Sequence, residues 1–193
     1  MNTGNFNPTD SLKTIEEALM KAKAQKTGAS FYYILWGSIL FTHYLLLFIT
    51  SQYPNLKNSM LEMIIWGVFP VGGLLSYLKS KKDNKKEQVL SHYEKVYLFA
   101  FSGFALTYGT IFISSAFLQT SLHIALYPLL LGFTVFVVGG ITKHKASIIG
   151  GILGIICSGI SLNVSLEIVY LLAALSSFIS CIIPGYLMKN SNV

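Results

Sequence analysis

The chain alternates long apolar runs with short polar breaks, and each of its six runs approaches the roughly 20 residues that an α-helix needs to cross a bilayer. Drawn at their polar edges, the runs cover 30–50, 60–79, 96–118, 122–140, 146–163 and 166–187. The connections after the first, third and fifth are short, which predicts antiparallel neighbours and therefore three helical hairpins. Ahead of the first run, residues 10–27 place Leu12, Ile15, Leu19 and Ala22 at helical spacing, with Lys13, Lys21 and Lys23 among the polar positions. Asp10 or Ser11 can cap its start and Gly28 marks its end. This segment is expected to be an amphipathic helix, either lying on the membrane surface or packed on the ends of the bundle. The expected fold is all-α: a polytopic membrane bundle of six transmembrane helices, with 1–29 as a cytoplasmic N-terminal segment, 30–187 as the membrane domain and 188–193 as a tail.

Composition strengthens this reading. Of the 193 residues 53% are hydrophobic and 11% charged, with mean hydropathy +0.59, against about 25% charged in soluble domains; a typical soluble enzyme is excluded. The formal charge of +6 comes from lysine alone, since the chain has no Arg. Without that bidentate fork, dedicated nucleotide or nucleic-acid recognition is not expected. The lysines instead report orientation. Lys13, Lys21, Lys23 and Lys26 precede the first run, Lys79, Lys81, Lys82, Lys85, Lys86 and Lys95 follow the second, Lys143 and Lys145 follow the fourth, and Lys189 lies in the tail. Only Lys57 falls on the opposite side, so both termini are expected in the cytoplasm. That surface, Lys79 to Lys86 above all, suits anionic inner-leaflet headgroups or a cytoplasmic protein partner. Tyr32, Tyr33, Tyr77, Tyr93, Tyr97 and Tyr186 fall near the inner boundary and Tyr53, Tyr127 and Tyr170 near the outer one, as interfacial aromatics do. The first run begins only near residue 30, after Asp10, Glu16 and Glu17; it is expected to be retained as a span rather than cleaved as a signal peptide.

Candidate chemistry is sparse. Glu62, His123 and Glu167 open the second, fourth and sixth runs, and His43 sits in the outer half of the first. Converging in an outer vestibule, these carboxylates and imidazoles could bind a cation or relay protons. The alternative is a helix-dipole preference for the two Glu residues and a neutral His43 paired with a neighbour. Tyr44 and Tyr108 lie deep in the first and third runs. Together with Thr42, His43, Ser102, Thr107, Thr110, Ser114 and Ser115 they form a polar stripe if they face the bundle, while for most of the hydroxyls back-bonding within their own helix is expected instead. Pro70, Pro128 and Pro184 recur in alternate runs, at different depths; only Pro70 is central, and a kink lining a path is expected there.

The fifth run carries Ala146, Gly150, Gly154 and Ser158 four residues apart, a helix-packing face whose partner is another span or a second copy of the chain. Cys157 and Cys181 lie in apolar runs, where thiols act as small hydrophobes. No metal-ligand pair on one helix, no GxSxG elbow and no phosphate-binding loop is present, so neither a metal, a cofactor nor an enzymatic activity is expected.

The stretch SLKTIEEALMKAKAQKTGASFYYILWGSIL at 11–40 resembles a group of small, multi-helix bacterial inner-membrane proteins in its IEEALMKAK helix and the FYYILWG that follows. A Trp-Gly pair in the first span is typical of that group; Trp36 and Gly37 match it, and Trp66 and Gly67 repeat it. The resemblance implies a bacterial inner-membrane location and about six spans, with no catalytic residue to carry over. The expected function is non-enzymatic sensing or scaffolding at that membrane. The alternatives are a small transporter or channel for a polar solute or ion, and, third, an intramembrane lipid-modifying enzyme.

Overall fold

The computed structural model describes residues 8–53, 59–84 and 92–190, and these are all-α, with no strand among them. The helices are α1 (Pro8–Gln52), α2 (Ser59–Asn84), α3 (His92–Phe117), α4 (Leu122–Ile141), α5 (Lys145–Ser161), α6 (Leu166–Ser177) and α7 (Ile183–Asn190). A π-helical turn, Phe178–Ile182, joins α6 to α7 into one continuous helical stretch. Five stretches are long and apolar enough to cross a membrane: Gly28–Gln52, Met63–Lys82, Lys95–Phe117, Leu122–Ile141 and Leu166–Asn190. The fifth apolar run forms α5, whose 17 residues fall short of that length.

The expected break at Gly28 is absent, because α1 runs unbroken through it. A glycine C-cap needs the left-handed conformation, and no glycine among the described residues has positive φ. One interior glycine costs about 1 kcal/mol relative to alanine, too little to end a helix flanked by good helix formers.

Helices α1, α4, α5 and the α6–α7 stretch form the core, with α3 against α4 and α2 against α1. The three-hairpin division cuts the chain between α4 and α5, yet the most intimate contact in the molecule lies there. A Cβ placed on Gly132 would stand 2.7 Å from Gly151 O and from Ile155 N, and one on Gly151 would stand 2.5 Å from Phe136 N. The two backbones therefore touch, as small residues permit in helix pairs that no hydrophobic force drives together. Gly150 and Gly154 turn to the other neighbour: a Cβ on Gly150 would lie 2.7 Å from Ile179 O, and one on Gly154 2.7 Å from Ser180 Oγ. The small-residue face of α5 is thus occupied from within the chain. Gly37 does the same for α1, where a Cβ would lie 2.7 Å from Cys181 Cβ.

Two turns are built without glycine. Gln119 (φ 53°) and Lys143 (φ 55°) take the left-handed position, and His144 N donates to Gly139 O and Lys143 N to Gly140 O, closing α4 with a Schellman motif. His144 then caps α5, its Nδ1 accepting from Ser147 N at 3.3 Å. Three residues, 142–144, serve both helix ends. α2 remains one helix through Pro70, whereas the non-α turn precedes Pro184. Pro184 offers no N–H to the carbonyl of Ser180, and a π turn is one way a helix absorbs that loss.

Candidate functional site

The residues singled out in the sequence divide into a buried aromatic and hydroxyl cluster and a set that stays outside it. Tyr44 belongs to the inner stripe of α1, with Ser30, Tyr33, Gly37 and Leu40, all buried at helical spacing. Its hydroxyl lies 2.9 Å from that of Tyr108 on α3, and its ring centroid is 4.4 Å from that of Tyr127 on α4. Tyr108 and Tyr127 meet edge to face at 5.6 Å. Tyr127 has no exposed surface, and its hydroxyl lies 2.7 Å from Ser177 Oγ. Because the single proton of Ser177 is already given to Ala173 O at 2.9 Å, Tyr127 is the donor and Ser177 the acceptor.

His43, next to Tyr44 on α1, faces α2 instead. It is buried, with its ring between Trp66 (5.1 Å) and Phe69 (4.8 Å). Its Nδ1 lies 3.0 Å from Ile65 O; a carbonyl only accepts, so Nδ1 carries the proton and donates. Ile65 precedes Trp66, whose own carbonyl Pro70 leaves without its in-helix donor. His123 stands at the start of α4 against Tyr108 (6.4 Å) and Phe112 (5.1 Å). Its Nδ1 is buried and has no hydrogen-bond partner among the described residues. The cluster therefore ends in one imidazole tied to a carbonyl and one that is not.

Other candidates lie elsewhere. The ring of Pro70 is exposed on α2 and contributes no wall to the cluster. Glu167 is exposed at the start of α6, where its Oε2 accepts from Ser165 Oγ at 3.4 Å. The side chain of Glu62 lies outside the described residues, as do Lys85 and Lys86; Lys81 and Lys82 are exposed at the end of α2. Among the described residues no three His, Cys, Asp or Glu side chains come together as a metal site. On α3 the hydroxyls that bond to their own helix do so as expected. Ser102, Thr107, Thr110 and Ser114 are exposed, with Ser102 bonded to Phe99 O and Thr110 to Leu106 O of their own helix; only Tyr108 and Ser115 turn inward. Back-bonding of this kind satisfies a hydroxyl without a neighbour.

Sequence reasoning placed Tyr33 and Tyr127 at the membrane boundaries, but both are buried in the core. The signal that would have found Tyr127 is its spacing, since Ile124, Tyr127, Leu131, Val135 and Val138 follow one another on the buried face of α4. Two further polar ties were not anticipated. Trp36 Nε1 donates to Ser76 Oγ at 3.1 Å, fastening α1 to α2, and Ala125 O accepts from Ser158 Oγ at 3.2 Å, fastening α4 to α5, while Ser161 Oγ gives its proton to Ser158 O at 2.7 Å or shares it with Ala125 O at 3.0 Å. No protein-family model, no curated protein and no solved structure matches the chain.

Proposed function

We propose that the protein is a six-span helical protein of the bacterial cytoplasmic membrane, with both termini inside, that acts as a non-enzymatic scaffold through the extension of its first helix. The supporting observation is the continuity of α1. Its 45 residues measure about 68 Å at 1.5 Å per residue, whereas its apolar stretch begins only at Gly28. About 20 residues of helix, roughly 30 Å, therefore reach beyond the span on the lysine-rich side. Leu12 is 67% exposed, which leaves an apolar position on this extension open to a cytoplasmic helix.

A photo-crosslinking residue at position 12 tests this in intact cells, with position 17 on the opposite face as control. A discrete protein adduct from position 12 and none from position 17 is the expected result. Adducts to lipid alone would overturn the scaffold reading and lay the helix on the membrane surface.

One observation favours a second reading, transport of a small ion or polar solute: the orphaned Nδ1 of His123 at the edge of the Tyr44–Tyr108 pair. In that case His43→Phe, which keeps a ring between Trp66 and Phe69, should abolish flux in reconstituted vesicles. For a scaffold the same variant loses only the bond to Ile65 O, a cost of about 1 kcal/mol, and flux is unchanged.

A further inference from the structure

We infer that the crevice between α1 and α2 is a binding site for one anionic phospholipid of the lysine-side leaflet, its acyl chain lying along the crevice and its phosphate held by Lys79 and Lys82. This rests on the reading above only in requiring that the chain cross the membrane.

The crevice is an open groove of about 900 Å³, within the range of about 300–1,000 Å³ typical of ligand sites. Its walls run from Leu35 to Thr42 on α1 and from Met63 to Leu75 on α2, and they are almost wholly apolar. It exists because α2 packs on α1 and on little else, and because the two helices are tied at points either side of mid-groove, His43 to Ile65 O and Trp36 to Ser76. Gly67 leaves its middle open, for a Cβ there would meet no atom within 4 Å. From Met63 to Leu75 the wall is about 18 Å long at 1.5 Å per residue, slightly more than half of the roughly 30 Å hydrocarbon core. That is the reach of one leaflet's chain.

Charge names the occupant. On α2 the groove face follows Ile64, Val68, Val71 and Leu75, and the same face continues one turn on to Lys79 and then to Lys82. On α1 the wall continues from Leu35 back one turn to Phe31. The two walls meet there, since Lys79 Nζ lies 5.8 Å from the centre of the Phe31 ring. Lys82 is exposed just beyond. An apolar trough that opens at one end, and at headgroup depth, onto two ammonium groups is complementary to a hydrocarbon chain ending in a phosphate.

The test uses the full chain reconstituted in vesicles of equal phosphatidylglycerol and phosphatidylcholine, then released into mild detergent for native mass spectrometry. Wild-type protein should retain one phosphatidylglycerol, at least fivefold over phosphatidylcholine. Lys79→Gln with Lys82→Gln should erase that preference. Gly67→Leu should lose the retained lipid altogether, because its side chain occupies the trough without displacing a neighbour. Gly73→Leu, on the same helix and equally without a neighbour within 4 Å but outside the groove, should retain lipid as wild type does. Equal retention by the two glycine variants, no headgroup preference in wild type, or a dimer mass in place of a lipid adduct would each overturn the site. The readout does not involve residues 8–27, so failure here and failure of the scaffold reading are separable.

Discussion

Gly151→Ala is expected to lower the thermal unfolding midpoint of the detergent-solubilised protein by several degrees, and Gly151→Leu to prevent recovery of monodisperse protein at all. The first methyl group would arrive 2.5 Å from Phe136 N and 2.7 Å from Gly132 O. These are backbone atoms, which cannot rotate away as a side-chain end can. Overpacking in a close-fitted interior costs about 1–3 kcal/mol, and here relief requires that α4 and α5 separate along their whole contact. Gly159→Ala on the same helix is the control. Nothing lies within 4 Å of a Cβ there, so the better helix propensity of alanine leaves stability unchanged or raises it by up to about 1 kcal/mol. Opposite signs for two glycine-to-alanine changes eight residues apart would locate the stability in the α4–α5 contact. Equal shifts, read by thermal unfolding and size-exclusion chromatography, would show that the contact is not what holds the pair.

Tyr127→Ala should cost about 3–5 kcal/mol, as removal of a fully buried aromatic ring does. Its ring touches Tyr44 on α1 and Phe104 and Tyr108 on α3, so two helices lose a common partner at once. The smaller variants carry the sharper information. Tyr127→Phe keeps the ring and leaves Ser177 still donating to Ala173 O, a cost of about 1 kcal/mol. Ser177→Ala instead strands the Tyr127 hydroxyl proton in a site with no exposure, costing about 1–3 kcal/mol. Ser177→Ala is therefore expected to be the more damaging of the two, although it deletes only one oxygen. The reverse order in denaturation midpoints would mean that the hydrogen bond runs the other way.

The positions of the helices were legible because apolar length is a strong and one-dimensional signal. Their faces were not. In a soluble helix the apolar stripe marks the inside, but α3 is apolar all round, so nothing in its period separates Tyr108, which faces α4, from Ser102 and Thr110, which face out. The face that could be read was on α5, because Gly150, Gly154 and Ser158 mark close approach by size rather than by polarity. Glycine misled where conformation was inferred from it: Gly28 does not end α1, while the left-handed turn positions fall to Gln119 and Lys143. Of the candidate site, Tyr44 and Tyr108 stood out by their unusual depth, but their pairing did not. Tyr127 was obscured by its closeness to a span end, where tyrosine is ordinarily interfacial. The vestibule of Glu62, His123 and Glu167 rested on shared membrane depth alone. Depth says nothing of azimuth, and Glu167 turns to Ser165 and solvent.

The brevity of α5 bears on how the protein is made. At 17 residues it measures about 26 Å, less than the hydrocarbon thickness, and it carries Ser147, Ser158 and Ser161. As it leaves the ribosome it is a poor candidate for entering lipid by itself. The hydroxyl of Ser158 finds its acceptor on α4, which the 142–144 link places just upstream of α5, and that of Ser161 has an acceptor within α5 itself. The carbonyl of Gly150 finds an added donor, Ser180 Oγ at 2.8 Å, only after the last helical stretch has been synthesised. In a six-span arrangement α5 would therefore enter the bilayer as one hairpin with α4, and the final stretch would close over the pair.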